Sequence, residues 1–246
     1  MSRKLHKFQT EAEYQAYSAS TEYTTPCVAV VEENNVIYYD YGNNKPKVDL
    51  SDYKGEFQES SVGGDYYGKS AITKINYISS GETNLNSDFY QYLSLEEVTC
   101  EIPSGVTTMS QTFFICPRLV KVPDIPSSVT NMYETFGACS SLVNFPAIPS
   151  GVTEMSYTFY KCTSLVKAPE IPSGVINLDR TFLSCTSLKE VTFLHTIPPT
   201  YSETLDNCPS LETIYVPDSA LEDYRTATGW LQFASKFKPL SSKPSE

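Results

Sequence analysis

The chain has 246 residues, 40% of them hydrophobic and 13% aromatic, enough to bury a sizeable core in one elongated unit or two small ones. This excludes a disordered tail. A formal net charge of −11 with no compensating Lys/Arg cluster repels phosphate at long range, so nucleic acid is not an expected partner.

The opening MSRKLHKFQTEAEYQAY has basic residues but no apolar stretch behind them, and the longest apolar run nearby is Cys27 to Val31. Neither a signal peptide nor a membrane insertion is therefore expected in this chain. Thr10 and Glu13 form a capping box that predicts a short helix carrying Tyr14 and Tyr17. CVAVVEENNVIYYDY then predicts two strands around the turn pair Asn34-Asn35. Residues 1–60 thus form a predicted helix-plus-hairpin module, a candidate for attachment to other proteins of a larger assembly. Residues 61–94 are predicted as an irregular connector that caps the first coil of the repeats downstream. Within it, GGDYYGKS at Gly63 to Ser70 matches the phosphate-binding loop pattern letter for letter. A working loop needs a buried strand before it and a helix after it. GEFQESSV is too polar for the first, and AITKINYIS reads at least as well as a strand.

From Leu95 to Pro217 the chain repeats every 23 residues. Cysteine recurs at Cys116, Cys139, Cys162, Cys185 and Cys208, and leucine at Leu119, Leu142, Leu165, Leu188 and Leu211. Parallel columns hold Ile102, Ile125, Ile148 and Ile171; Val106, Val129, Val152 and Val175; Met109, Met132 and Met155; and Thr-Phe pairs from Thr112-Phe113 to Thr181-Phe182. A column of one residue type means that each coil sets that side chain against its copy in the next, since no single coil can bury its apolar face alone. The spacing Leu142, Phe145, Ile148 before a Pro-Ser-Gly turn predicts a short extended segment. Val152, Met155, Phe159 and Cys162 are spaced by three and four, which predicts a short helical turn on the opposite side. Stacked thiols fit a soft-metal or redox ladder as well as a buried corner. The lack of a local Cys/His cluster favours the buried reading, and no metal or other cofactor is expected.

Residues 218–246 read as a helical cap. Ser219 and Glu222 form a second capping box, Gly229 is placed to end the helix, and Trp230, Leu231 and Phe233 supply bulk over the last coil. The odd cysteine count, seven, rules out a complete set of internal disulfides.

The pattern Phe-x-x-Cys-x-x-Leu-x-x-hydrophobic-x-x-Ile-Pro-Ser-Gly-Val resembles the BspA-like class of leucine-rich repeats. Its closing segment VTFLHTIPPTYSETLDNCPSLETIYVP resembles the divergent last repeats of that class, and PDSALEDYRTATGWLQFASKFKPL their C-terminal cap. The resemblance implies a leucine-rich-repeat solenoid of short strands and short helical turns. It also implies an adhesive or ligand-presenting role of the kind found in gut and oral bacterial surface proteins, protist surface proteins and gut-phage virion proteins. The helix-plus-hairpin opening is similar to a short module of phage and gut-bacterial structural proteins. A virion fibre or accessory adhesin is therefore the leading expectation, and a bacterial surface or secreted repeat protein the alternative.

No catalytic constellation emerges. Only His6 and His195 are available as imidazoles, and His195 sits in the column of turn prolines Pro103, Pro126, Pro149 and Pro172, where a solvent-facing position is expected. Adjacent acids such as Glu96-Glu97 read as solvated charge. Recognition would then fall to columns that the repeat leaves free, and Phe114, Tyr133, Tyr157 and Tyr160 are the candidate contact residues for a protein or glycan receptor.

Overall fold

A computed structural model describes residues 73–75, 78 and 82–245 in full. Of the earlier chain it describes the backbone of four strands, β1 (Leu5–Phe8), β2 (Cys27–Val31), β3 (Val36–Asp40) and β4 (Lys47–Asp49). These pair in the order β1-β2-β3-β4, with β1 parallel to β2 and the other two pairs antiparallel. The helix predicted at Thr10 and the loop Gly63 to Ser70 lie outside the described residues.

The remainder is a solenoid. One side of each coil is extended. β5 (Lys74–Ile75) pairs in parallel with β6 (Glu97–Val98), and β7 (Lys167–Ile171), β8 (Glu190–Phe193), β9 (Thr213–Val216) and β10 (Phe237–Pro239) form a second parallel sheet in chain order. Strand character lapses over the coils at 121–125 and 144–148. Pro123 and Pro146 have no N–H to donate to a neighbour, and their column-mate Pro169 coincides with the register shift between Lys167 and Glu170. Where Thr192 and Tyr215 occupy that position, pairing is continuous. Lys74–Glu97 and Lys167–Glu190 ion pairs, both 3.6 Å, join neighbouring coils across this side. The first is open to solvent on both sides and contributes little stability, while in the second Glu190 Oε1 is buried.

The opposite side corrects the helical expectation. Between Met109 and Cys116 the chain makes linked turns, with Thr112 N donating to Met109 O at 3.1 Å and Phe114 N to Gln111 O at 3.2 Å. The alternate N–H groups point to the next coil: Met109 to Asn131 O, Gln111 to Tyr133 O, Phe113 to Thr135 O and Ile115 to Gly137 O, at 2.8–2.9 Å. A helix would close all of these bonds within the coil and leave the coils unlinked. The geometry requires two left-handed residues per coil, from Ser87 and Gln91 through Gln111 and Ile115 to Glu203 and Asn207, with φ of 50–64°. Left-handed non-glycine residues cost roughly 1–2 kcal/mol each, which the inter-coil bonds must offset.

Inside, Phe89, Phe113, Phe136, Phe159 and Phe182 stack with centroids 5.4–6.0 Å apart, nearly parallel and fully buried. The Thr column is polar yet 0% exposed, because each hydroxyl donates to a carbonyl of the preceding coil. Thr135 Oγ1 reaches Met109 O and Thr158 Oγ1 reaches Met132 O, both at 2.7 Å. The thiols do the same: Cys139, Cys162 and Cys185 donate to Phe113 O, Phe136 O and Phe159 O at 3.0–3.2 Å. Cysteine is therefore a small apolar filler that also caps a carbonyl, which alanine could not do.

The stack extends one coil upstream of Leu95. Leu85, Phe89 and Tyr92 occupy the Met, Phe and Cys columns, and Ile75 and Ile78 begin the coil. Three residues separate Val98 from Ile102, against two between Val122 and Ile125, so every column crossing that segment steps by 24 rather than 23. That extra residue hides the upstream coil from a search at fixed period.

At the other end, α1 (Leu221–Thr226) follows a 3-10 turn at Asp218–Ala220. No side chain caps it, so the Ser219–Glu222 box is not formed, and Asp218 instead accepts from Ser241 N and Oγ. Gly229 has φ +83°, and a Cβ there would lie 2.6 Å from Tyr201. Trp230 is buried, donating Nε1 to Pro199 O at 2.6 Å, and meets Phe193, Tyr201 and Tyr224 edge-on at 5.0–5.3 Å. Leu231, expected to cover the last coil, is instead 62% exposed, because the 3-10 segment it opens turns it outward. The tail then crosses the sheet, where Lys243 Nζ donates to Glu170 Oε1 at 2.7 Å and Thr192 Oγ1 at 3.1 Å.

Candidate functional site

The turn side positions the four candidate contact residues. Tyr157 is left-handed, with φ 56°, which throws its side chain off the coil rather than along it. Its column also holds Gln111, Glu134, Arg180 and Glu203, all left-handed. These outward residues are thus presented by backbone that few side chains tolerate. Phe114 and Tyr160 belong to the column after the buried Phe, and Tyr133 to the column before Glu134.

All four are half-buried, and three are joined. Tyr133 meets Tyr157 edge-on at 6.3 Å and Tyr157 meets Tyr160 edge-on at 5.8 Å. Phe114 stands apart, stacked at 5.7 Å on Tyr90 and leaning over Gly137, where a Cβ would sit 2.6 Å from its ring. Both groups run across coils on the turn side and make up an aromatic ribbon in two parts. Tyr90 escapes the sequence-based candidates because its coil falls outside the 23-residue register.

Charged residues absent from those candidates complete the ribbon. Arg180 lies 5.5 Å from the Tyr157 ring centroid, donates Nη1 to Tyr157 OH at 2.6 Å and grips Glu203 with Nε and Nη2 at 2.8 and 2.9 Å. Asp179 is 3.2 Å away and accepts from Ser202 Oγ at 2.6 Å. Lys161 stands 5.1 Å over Tyr160. Tyr133 OH donates to Glu134 Oε1 at 3.0 Å, and burial, that bond and the negative charge of Glu134 and Glu154 push its phenol pKa up. Glu203 is held below the usual carboxylate range by Arg180. The 23-residue period places Glu134, Asp179, Arg180 and Glu203 in the same free columns as the tyrosines, while their pairing with the rings depends on the stacking of adjacent coils.

His195 corrects the solvent-facing expectation: it is buried beside Phe193, with Nε2 2.8 Å from Val175 O. Since a carbonyl only accepts, Nε2 carries the proton; Nδ1 has no partner, and burial pushes the imidazole pKa down. The last coil and the cap leave a shallow depression of about 560 Å³, lined by Leu205, Asp206, Cys208 and Phe233 among others. Cys208 there is half-buried and its thiol is pushed up to about 11 by burial, so it is a poor nucleophile. Among the described residues no three His, Cys, Asp or Glu side chains converge to hold a metal, and no helix is long and apolar enough to cross a membrane.

A family model described as "BspA type Leucine rich repeat region" matches six copies over residues 58–142 and 124–226. The chain belongs to this family. The match begins upstream of Leu95, in agreement with the extra coil. A leucine-rich repeat protein of Bacteroides ovatus aligns at 19% identity and a TM-score of 0.42, over 68% of this chain and 50% of its own. A leucine-rich cell surface protein of Faecalibacterium prausnitzii aligns at 19% identity and 0.39, over 75% of this chain and 71% of its own. The chain spans about half the length of the Bacteroides protein. No curated protein matches it.

Proposed function

We propose that the protein is a non-enzymatic binding protein whose solenoid presents the ribbon of Tyr90, Phe114, Tyr133, Tyr157 and Tyr160 to a protein or glycan receptor. One observation carries this reading. Membership of the BspA-type family accounts for the buried columns, yet the ribbon residues lie outside those columns and still gather into two aromatic groups, Tyr90 with Phe114 and Tyr133 with Tyr157 and Tyr160. Half-buried aromatics are strong anchors because they are already partly ordered and lose little freedom on binding.

A bacterial cell surface or secreted setting comes first, since the family match falls on the repeats and leaves out residues 1–57, on which the likeness to a phage module rests. A virion fibre or accessory protein, attached through residues 1–60, is the second setting. Location of the gene beside capsid and tail genes would favour the virion, and beside export or polysaccharide-uptake genes the surface. The binding reading is tested by incubating the labelled full chain with intact gut bacteria, epithelial cells and immobilised mucin. The double change Tyr133→Ala with Tyr157→Ala should weaken capture about tenfold at an unchanged melting temperature. Undiminished capture by the folded double variant would remove the ribbon from the binding surface.

A further inference from the structure

We infer that the ribbon receives a cationic segment of a protein partner, with a lysine or arginine side chain seated on Tyr133 between Glu134 and Glu154. This rests on the binding reading above and names the partner's chemistry.

The chain itself displays the mode of contact. Arg180 packs against the Tyr157 ring at 5.5 Å while Glu203 and Asp179 neutralise it, and Lys161 stands 5.1 Å over Tyr160. An aromatic face attracts a cation through its quadrupole, and a flanking carboxylate strengthens the contact. One coil earlier Tyr133 stands beside carboxylates, and among the described residues no cation packs on its ring. Tyr133 donates its hydroxyl to Glu134 Oε1 at 3.0 Å, and Glu154 lies in the next coil, bridged in parallel to Asn131, whose Oδ1 accepts from Tyr133 N at 2.9 Å. Both carboxylates are held by neutral donors: Glu134 by Gln111 Nε2 and Tyr133 OH, Glu154 by Ser156 N and Asn177 Nδ2 at 2.6 Å. Among the described residues, neither forms a salt bridge. The two acids are thus pre-oriented with their charge unspent.

Charge and shape select against other occupants. Along the ribbon, Glu134, Glu154, Asp179, Glu203 and Asp206 outnumber Arg180 and Lys161, and the whole chain carries −11, so anionic glycans and acidic proteins are repelled. A neutral sugar stacks on an open, flat ring face. Tyr133 and Tyr157 cross at 70° and Tyr157 and Tyr160 at 81°, and Arg180 already covers one face of Tyr157. Crossed rings offer no continuous flat platform for a pyranose, whereas a flexible cationic side chain needs only the partial face of a single ring.

Fluorescence anisotropy with the full chain in about 50 mM salt tests this, using a labelled peptide of about 12 alternating arginine and serine residues beside its glutamate counterpart and labelled cellohexaose. The arginine peptide should bind and the glutamate peptide should not. Glu134→Gln with Glu154→Gln should weaken binding about tenfold, and Tyr133→Ala about fivefold. Glu101→Gln with Asp124→Asn, an equal charge change at exposed sites by the strand ends, should change it less than about twofold. Equal losses from the two double variants would mean general charge attraction and overturn the inference. Binding of cellohexaose alone, lost with Tyr133→Ala, would overturn the cationic occupant while leaving the ribbon as a binding surface. Binding of neither probe would also overturn it, and the wider function would then be decided by the capture experiment above.

Discussion

Replacing Thr158 by valine tests whether the buried hydroxyl ladder holds the coils together. Valine has the same shape, so packing against Phe136 and Phe159 is kept and only the donor is lost. Thr158 Oγ1 lies 2.7 Å from Met132 O and 2.8 Å from Met155 O, but one hydroxyl proton serves one of them at a time. Met132 O retains the turn bond from Thr135 N at 3.2 Å, and Met155 O retains Thr158 N at 3.0 Å and Thr181 Oγ1 at 3.0 Å. Neither carbonyl is orphaned, so the loss is that of one ordinary hydrogen bond, about 1 kcal/mol. For a chain of this size that lowers the melting temperature by roughly 2–4 °C. Because coils are quasi-equivalent, Thr135→Val and Thr181→Val should cost the same within about 0.5 kcal/mol. Differential scanning calorimetry on the three variants measures this. An unchanged melting temperature would show that the hydroxyls contribute nothing, and a loss above about 3 kcal/mol would show that the carbonyls have no second donor.

Asp88 stands in the Thr column, and burial, then Glu82, push its carboxyl up to about 7. Its folded pKa exceeds the unfolded value, so stability is fully present below about 3.8, falls as pH rises towards about 7 and is flat above. Asp88→Asn should remove that slope and raise the melting temperature at pH 8; a lower melting temperature there would mean that the carboxylate is stabilising. Cys139, Cys162 and Cys185 are fully buried with thiols pushed well above the usual range, first by burial. Ellman titration should leave them silent in the native chain and label them on denaturation, whereas prompt native labelling of these three would contradict the thiol ladder.

The interior is legible in the sequence because a stacked coil repeats its environment. Leucine, valine, methionine and phenylalanine at a fixed step leave only a solenoid as the way to bury them, and that much needs no coordinates. The turn side resembles a helix in sequence because spacing by three and four describes which side chains point inward, and a run of left-handed turns produces the same spacing. The two differ only in where the backbone N–H groups go, and that depends on a second coil lying alongside. The same dependence hides the Thr hydroxyls' partners, since the acceptors lie 26 residues back in Met109 and Met132. It also hides the upstream coil, displaced by one residue near Cys100.

On the surface, the order of residues is enough to show which columns are free of the core and that tyrosines occupy several of them. Coil stacking is needed to bring Tyr133, Tyr157 and Tyr160 together, to turn Phe114 instead to Tyr90, to lay Arg180 on Tyr157, and to set Glu154 beside Asn131, two residues before Tyr133. A repeat dictates side chains only where each coil must match the next. On the outer side adjacent copies also touch, as Arg180 does Glu203, but they need only complement one another and not repeat one residue type, so neighbours there are set by coil spacing and by left-handed backbone, both properties of the stacked chain.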